Sequence, residues 1–178
     1  FYITYFENDG ASPPVWTYRW ISANGVYIVA QSFVDINGDG RLDIISGSRV
    51  AGSYYPANVE WYRNDGGSPP SFTNYQIATS SAYEAWDVAA ADLNSDGHID
   101  IVAVGARSSG SKVEWYKGDP TETSLFESTS TTISTNPYYP VQMSVGDING
   151  DGLLDLYVCK SGKPEGKKKA VQLGWWQR

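Results

Sequence analysis

The sequence predicts an all-β fold, a β-propeller of four-stranded antiparallel blades. Three observations carry this. A nine-residue stretch, Asp35-Ile-Asn-Gly-Asp-Gly-Arg-Leu-Asp43, recurs as Asp92 to Asp100 and as Asp147 to Asp155, with starts 57 and 55 residues apart. Each copy lies between two short apolar runs, and the first two copies are followed by a second pair of runs, so one repeat is four strands joined by hairpin turns. No segment shows the 3.6-residue period of an amphipathic helix. A four-stranded repeat of about 55 residues fits a propeller blade. A sandwich is the alternative, but it would not need a fixed repeat.

Taken in order, Phe1 to Asn8 alternates and is rich in aromatic and β-branched residues, Asp9 to Pro14 is a turn, and Val15 to Ile21 is a second strand. The same pair returns as Asn58 to Asn64, turn Asp65 to Pro70, and Phe72 to Ile77. A third copy is Lys112 to Lys117, turn Gly118 to Pro120, and a polar stretch through Ile133. The chain closes on Leu173 to Arg178, which matches only the first strand of the pair. Strands lead into the nine-residue loops over Tyr27 to Val34, Ala85 to Ala91 and Val141 to Gly146, and leave them over Leu42 to Ser46, Ile99 to Val104 and Leu154 to Val158. The residues one and three before each loop (Val34 and Ser32, Ala91 and Ala89, Gly146 and Ser144) are mostly small, as the crowded innermost strand of a blade requires.

The resulting plan is one propeller domain of about three to three and a half blades. Residues 1–22 supply the last two strands of a blade, 23–79 and 80–134 are blades with their loops, and 135–178 is a blade lacking its last strand. Propellers close with four to eight blades. The expectation is therefore a partial ring: either part of a longer chain, which the ragged ends and the start at Phe1 favour, or a ring completed by association of copies.

Composition narrows the function classes. Aromatics make up 14% of the 178 residues, which argues against disorder. No apolar run approaches the roughly 20 residues of a membrane helix. The single cysteine, Cys159, permits no internal disulfide and reads as a buried, inert thiol, the alternative being a disulfide to a missing part of the chain. The net charge of −7 belongs to the loops: they hold nine aspartates, and all other charges sum to +2. There is no basic footprint for nucleic acid.

Within each loop, oxygen-bearing side chains at positions 1, 3, 5 and 9 alternate so that they can turn toward one point, and glycine at position 6 (Gly40, Gly97, Gly152) permits the sharp turn. Hard oxygen ligands suit Ca²⁺ better than transition metals. The expected ligands are Asp35, Asn37, Asp39, Arg41 and Asp43 in the first loop, Asp92, Asn94, Asp96, His98 and Asp100 in the second, and Asp147, Asn149, Asp151, Leu153 and Asp155 in the third. The position-7 residues (Arg41, His98, Leu153) would contribute only their carbonyls. Apolar residues at positions 2, 8 and 10, such as Ile36, Leu42 and Ile44, are expected to anchor the loop in its blade. An EF-hand is excluded, because position 12 is Ser46, Ala103 or Val158 and a strand follows instead of a helix.

This pattern resembles the FG-GAP/VCBS repeat family, the blades of integrin α-like and related extracellular propellers. The resemblance covers almost the whole chain. It implies calcium bound between the first and second strands of each blade, an extracellular or cell-surface location, and a role in adhesion or recognition. The Phe-Gly and Gly-Ala-Pro signatures of integrin repeats are absent, so integrin-like partners do not follow. The three equivalent sites read as structural staples, with affinities of about 10⁻⁴ to 10⁻³ M.

Strand direction then places recognition opposite the loops, on a face expected to carry Tyr27, Tyr54, Tyr55, Tyr83, Trp86, Tyr138 and Tyr139 with Arg49, Arg107 and Lys167 to Lys169. The partner expected there is a glycan or an extracellular protein. The bland alternative is that these aromatics wedge between blades. Catalysis finds little footing: His98 is the only histidine, and Glu84 with Asp87 is the one spare carboxylate pair. The expected function is a non-enzymatic calcium-binding recognition module. The alternatives are a structural subunit of an extracellular assembly or a domain of a polysaccharide-active enzyme.

Overall fold

The structure, a computed structural model, describes residues 2–22, 27–49, 57–80, 84–107, 110–135, 139–161 and 172–176. Among them there is no helix. Thirteen strands form four antiparallel sheets in sequence order. The first sheet is β1 (Ile3–Asn8) and β2 (Trp16–Ser22). The second is β3 (Tyr27–Val34), β4 (Asp43–Arg49), β5 (Ala57–Gly67) and β6 (Pro70–Ser80). The third is β7 (Ala85–Ala91), β8 (Asp100–Arg107), β9 (Gly110–Tyr116) and β10 (Thr131–Ser134). The fourth is β11 (Tyr139–Gly146), β12 (Asp155–Ser161) and β13 (Gln172–Trp176). Every connection between neighbours in a sheet is a simple meander, the strand plan of a propeller blade.

Period-two alternation explains how the blades stack. On β4, Ile44 turns to one side and packs with Ile3 and Tyr62, while Ile45 turns to the other and packs with Trp61, Ala85, Val88 and Ile101. On β8, Ile101 and Ala103 face the second sheet, and Val102 and Val104 face Met143, Leu156 and Val158 of the fourth. The core is thus a series of layers between sheets rather than one centre. The second strand β8 is apolar in one continuous run, Ile101 to Val104, because both of its faces are covered. Each fully buried Ile or Val here contributes about 1.5–3 kcal/mol relative to exposure.

The first strands of successive sheets lie against one another. β7 packs on β3 and β4, and β11 packs on β7 and β8. This fits the small residues that precede each loop. Close approach is fixed at Gly47, where a Cβ would stand 3.0 Å from both Ala85 Cβ and Val88 Cγ1. Farther out, Trp61 stacks on Tyr75 at 4.8 Å and meets Phe126 edge-on at 6.3 Å.

Several local expectations need revision. β5 and β6 run on to a tight turn at Ser68–Pro69, so Asp65 to Gly67 belongs to a strand rather than a loop. β11 begins at Tyr139 rather than Val141. The polar stretch after Gly118 is mostly a folded loop pinned by a Gly118–Phe126 bridge, and Phe126 is buried in the core. Its Ser/Thr-rich composition hid that anchor.

Candidate metal centres

Each loop joins the first and second strands of a sheet, and its side chains gather in the same way. In the first loop, the Asp39 N–H donates to Asp35 Oδ1 (3.1 Å) and to Asn37 Oδ1 (3.2 Å), so oxygens from positions 1 and 3 meet at one atom. Position 5 joins them through Asn37 Nδ2, which donates to Asp39 Oδ2 at 2.7 Å. The second loop repeats this at 3.1, 2.9 and 2.8 Å, and the third at 3.1, 2.9 and 2.9 Å. Position 1 also accepts the N–H of the position-6 glycine, at 2.7, 2.9 and 2.8 Å in the three loops.

That geometry requires left-handed backbone. Gly40, Gly97 and Gly152 have φ of 84°, 87° and 86°. Position 4 is left-handed too, with φ of 73°, 60° and 77° at Gly38, Ser95 and Gly150, a second constraint that the sequence signals only as two glycines in three copies. The loop amides lower carboxylate pKa values by favouring the anion. The Gly152 N–H, followed by those of Gly150 and Asp151, holds Asp147 below the ordinary range. At Asp39, partial desolvation pushes upward, but the Asn37 amide and the Arg41 N–H outweigh it and the net shift is down.

Position 9 does something different. Asp43, Asp100 and Asp155 are almost wholly buried. Asp43 accepts the Ile36 N–H of its own loop (3.3 Å) and the Asn64 N–H of its neighbour strand β5 (2.8 Å). Asp100 does the same with Leu93 (3.1 Å) and Gly118 (2.7 Å). Asp155 accepts the Ile148 N–H at 3.0 Å; the residue equivalent to Asn64 and Gly118 lies outside the described residues. The last carboxylate is therefore a latch from loop to outer strand. Burial raises the pKa of Asp43 and Asp100, and the amides oppose that rise. The Trp61 and Trp115 indoles also favour these anions from the outer strands, without closing a hydrogen bond of ordinary geometry.

A hard cation fits this donor set. Positions 1, 3 and 5 bring carboxylate and amide oxygens to one place, and each oxygen bonded to an amide keeps a second lone pair. Among the described residues no three Asp, Glu, His or Cys side chains form a ready metal cluster. The amide partners hold the loop in shape, and the position-9 carboxylates accept the N–H of position 2 in each loop.

The anchoring residues divide by place in the array. Ile36 and Leu93 at position 2 are half-buried and pack toward the next sheet, whereas Ile148 is 51% exposed. At position 8, Ile99 and Leu154 are half-buried and Leu42 is 61% exposed. Anchoring thus runs between blades rather than within one, which corrects the expectation from sequence.

Of the expected recognition face, Tyr54, Tyr55, Tyr83 and Tyr138 lie outside the described residues, as do the side chains of Tyr27, Tyr139 and Arg107 and the whole of Lys167 to Lys169. Trp86 is described. It stands at the end of β7 away from the loop, half-buried, with the Arg49 guanidinium 4.8 Å from its ring centre. Glu84 holds that arginine at 3.1 Å. Asp87 is engaged elsewhere, accepting the Met143 N–H at 2.7 Å and so tying the third sheet to the fourth. Glu84 and Asp87 therefore have separate partners.

Fold and loops together define a propeller blade with an aspartate-rich loop between its first two strands, repeated along the chain. The family model described as FG-GAP-like repeat matches residues 35–103 and 92–158, more than half of the chain and all three loops. The chain belongs to the FG-GAP-like repeat family. No curated protein matches it.

Proposed function

We propose that this protein is a non-enzymatic, extracellular recognition module whose propeller blades are stapled by three calcium ions. The observation that carries this reading is the threefold recurrence of one loop geometry, with oxygens of positions 1, 3 and 5 gathered at the same place in each sheet. Asp35, Asn37 and Asp39 and their counterparts would hold the ion, with the carbonyls of Arg41, His98 and Leu153 and the position-9 aspartates completing the shell. A bound Ca²⁺ would neutralise the loop carboxylates and fix the hairpin between first and second strands. Affinities of about 10⁻⁴ to 10⁻³ M suit the calcium of extracellular fluids.

Recognition is assigned to the end of the sheets opposite the loops. What supports it is the Arg49–Trp86 stack, held by Glu84, which offers a flat aromatic surface beside a charge. A glycan or a protein loop suits such a surface. Titration calorimetry with CaCl₂ tests the first half: three equivalent sites are expected, and no heat above dilution refutes it. A glycan array probed with the protein and its Trp86→Ala variant tests the second; equal signals from both would remove Trp86 from the site.

A further inference from the structure

Two of the three loops carry an asparagine–glycine pair at positions 3 and 4, Asn37-Gly38 and Asn149-Gly150, whereas the middle loop has Asn94-Ser95. A further pair, Asn24-Gly25, lies outside the described residues. When glycine follows asparagine, its main-chain nitrogen can attack the side-chain carbonyl, because no Cβ blocks the five-membered ring that forms. Both loop pairs are exposed. A Cβ at Gly38 or Gly150 would meet nothing within 4 Å, so solvent reaches the ring from that side. The six residues Asp35 to Gly40 are identical to Asp147 to Gly152, so any difference between these two asparagines comes from the fold.

The loop arranges the reacting groups. The Asp39 N–H donates to Asn37 Oδ1 at 3.2 Å, the oxygen on which charge develops when the carbonyl is attacked. Asn37 Nδ2, the nitrogen that would leave, is held by Asp39 Oδ2 at 2.7 Å. Asn149 has the same two contacts, both at 2.9 Å. The attacking nitrogens differ. The Gly150 N–H donates to Asp147 Oδ1 at 2.7 Å, and a nitrogen that gave up this hydrogen would gain negative charge beside a carboxylate. In the first loop Asp35 instead accepts the N–H groups of Asp39 and Gly40, and the Gly38 N–H has no acceptor among the described residues. In the middle loop Ser95 takes the same left-handed turn at φ 60°, and its Cβ stands where glycine leaves the ring open.

We propose that Asn37 is a self-modification site, which converts to aspartate and isoaspartate in the folded, metal-free protein ahead of Asn149, while Asn94 is spared. The Gly38 nitrogen bonds to Asn37 Cγ, the Cγ–Nδ2 bond breaks, and ammonia leaves with the hydrogen that Gly38 gave up. Water then opens the cyclic imide. Opening at Cγ leaves aspartate; opening at the main-chain carbonyl leaves isoaspartate, with the chain running through the former side chain. The net reaction consumes water and releases ammonia. Either product puts a carboxylate in place of a neutral amide, in a loop that already holds Asp35, Asp39 and Asp43. The isoaspartyl form also lengthens the main chain and displaces the acceptor of the Asp39 N–H. The proposal does not depend on the recognition reading.

Incubation in EDTA at mildly alkaline pH, followed by peptide mapping with mass spectrometry, tests it. The mass gain of an amide becoming an acid is expected at Asn37 first, with isoaspartate in the same peptide detected by enzymatic methylation, and with no change at Asn94. In urea, where only the local sequence acts, Asn37 should lose its lead over Asn149. Gly38→Ser, which copies the middle loop, should slow conversion at Asn37 about tenfold. Ser95→Gly should make Asn94 convert, and it keeps the test open if Gly38→Ser lowers the melting temperature. An Asn37 that keeps its amide, equal rates at Asn37 and Asn149 in the folded protein, or an Asn94 left unchanged by Ser95→Gly would each overturn the proposal.

Discussion

Replacing Asp100 by alanine in the absence of metal tests the latch on its own. The buried carboxylate accepts the Gly118 N–H at 2.7 Å and the Leu93 N–H at 3.1 Å. Alanine leaves both donors without a partner, and an unsatisfied buried group costs about 1–3 kcal/mol. Two such losses come to roughly 2–6 kcal/mol. Relief from burying a charge, the same effect that raises the Asp100 pKa, offsets part of this, so about 2–4 kcal/mol remains. At a urea slope of roughly 2 kcal/mol per M, the midpoint should fall by about 1–2 M. The measurement belongs in EDTA, where metal binding contributes nothing. The comparison is Asp96→Ala: Asp96 is an exposed loop residue whose carboxylate holds mainly the His98 N–H and the Asn94 amide, so the loss in EDTA should be plainly smaller. In calcium, Asp96→Ala should lose the gain that the ion gives to wild type; Asp100→Ala removes a carboxylate of the proposed shell too, so the latch is judged in EDTA alone. If Asp100→Ala is no more destabilising than Asp96→Ala in EDTA, the latch has no energetic meaning and the reasoning fails.

Calcium at 100 times its dissociation constant should stabilise the fold by about 2.7 kcal/mol per site, so EDTA should lower the melting temperature by several degrees; an unchanged melting curve counts against structural calcium. Gly118→Ala should destabilise by about 1–3 kcal/mol in urea titrations, because its Cβ would sit 2.6 Å from the Ile99 carbonyl oxygen. Three aspartates at equivalent repeat positions have lowered pKa values: Asp9 from the Val15 and Ala11 N–H groups, Asp65 from the Thr73 hydroxyl and Arg63, and Asp119 from the Thr121 hydroxyl and N–H. A folded pKa below the unfolded one gives stability that is present above about pH 4 and lost as pH falls through the folded value. The triple Asp→Asn variant should therefore show a shallower decline in melting temperature between about pH 5 and 2 than wild type, and parallel curves would refute the assignment.

Much of the fold was legible because its signals are local. Tyr27 to Val34 and Ala85 to Ala91 were readable as strands from the aromatic and β-branched residues of the first and the apolar run of the second, and each ends at an aspartate loop. The glycine at position 6 announced its left-handed turn. Phe126 was not legible: its neighbours are polar, and only the fold of residues 118–130 brings it to Trp61. The role of position 9 was hidden for a related reason. As a carboxylate in a metal-binding pattern Asp100 looks like Asp96, and what separates them is an outer-strand amide 18 residues away.

The sequence by itself determined that this protein is a stack of four-stranded units, each with an oxygen-rich loop at one fixed point, because strand alternation, turn glycines and ligand spacing all act within a few residues. Only the tertiary structure decided which loop aspartates tie loop to outer strand, which apolar residues reach the next sheet, and which are left in solvent at the two ends. Those depend on what stands opposite a side chain. Ile36 and Ile148 occupy the same position of the same motif, yet one is packed and the other is exposed, because a following sheet stands beside the first and none of the described sheets stands beside the second.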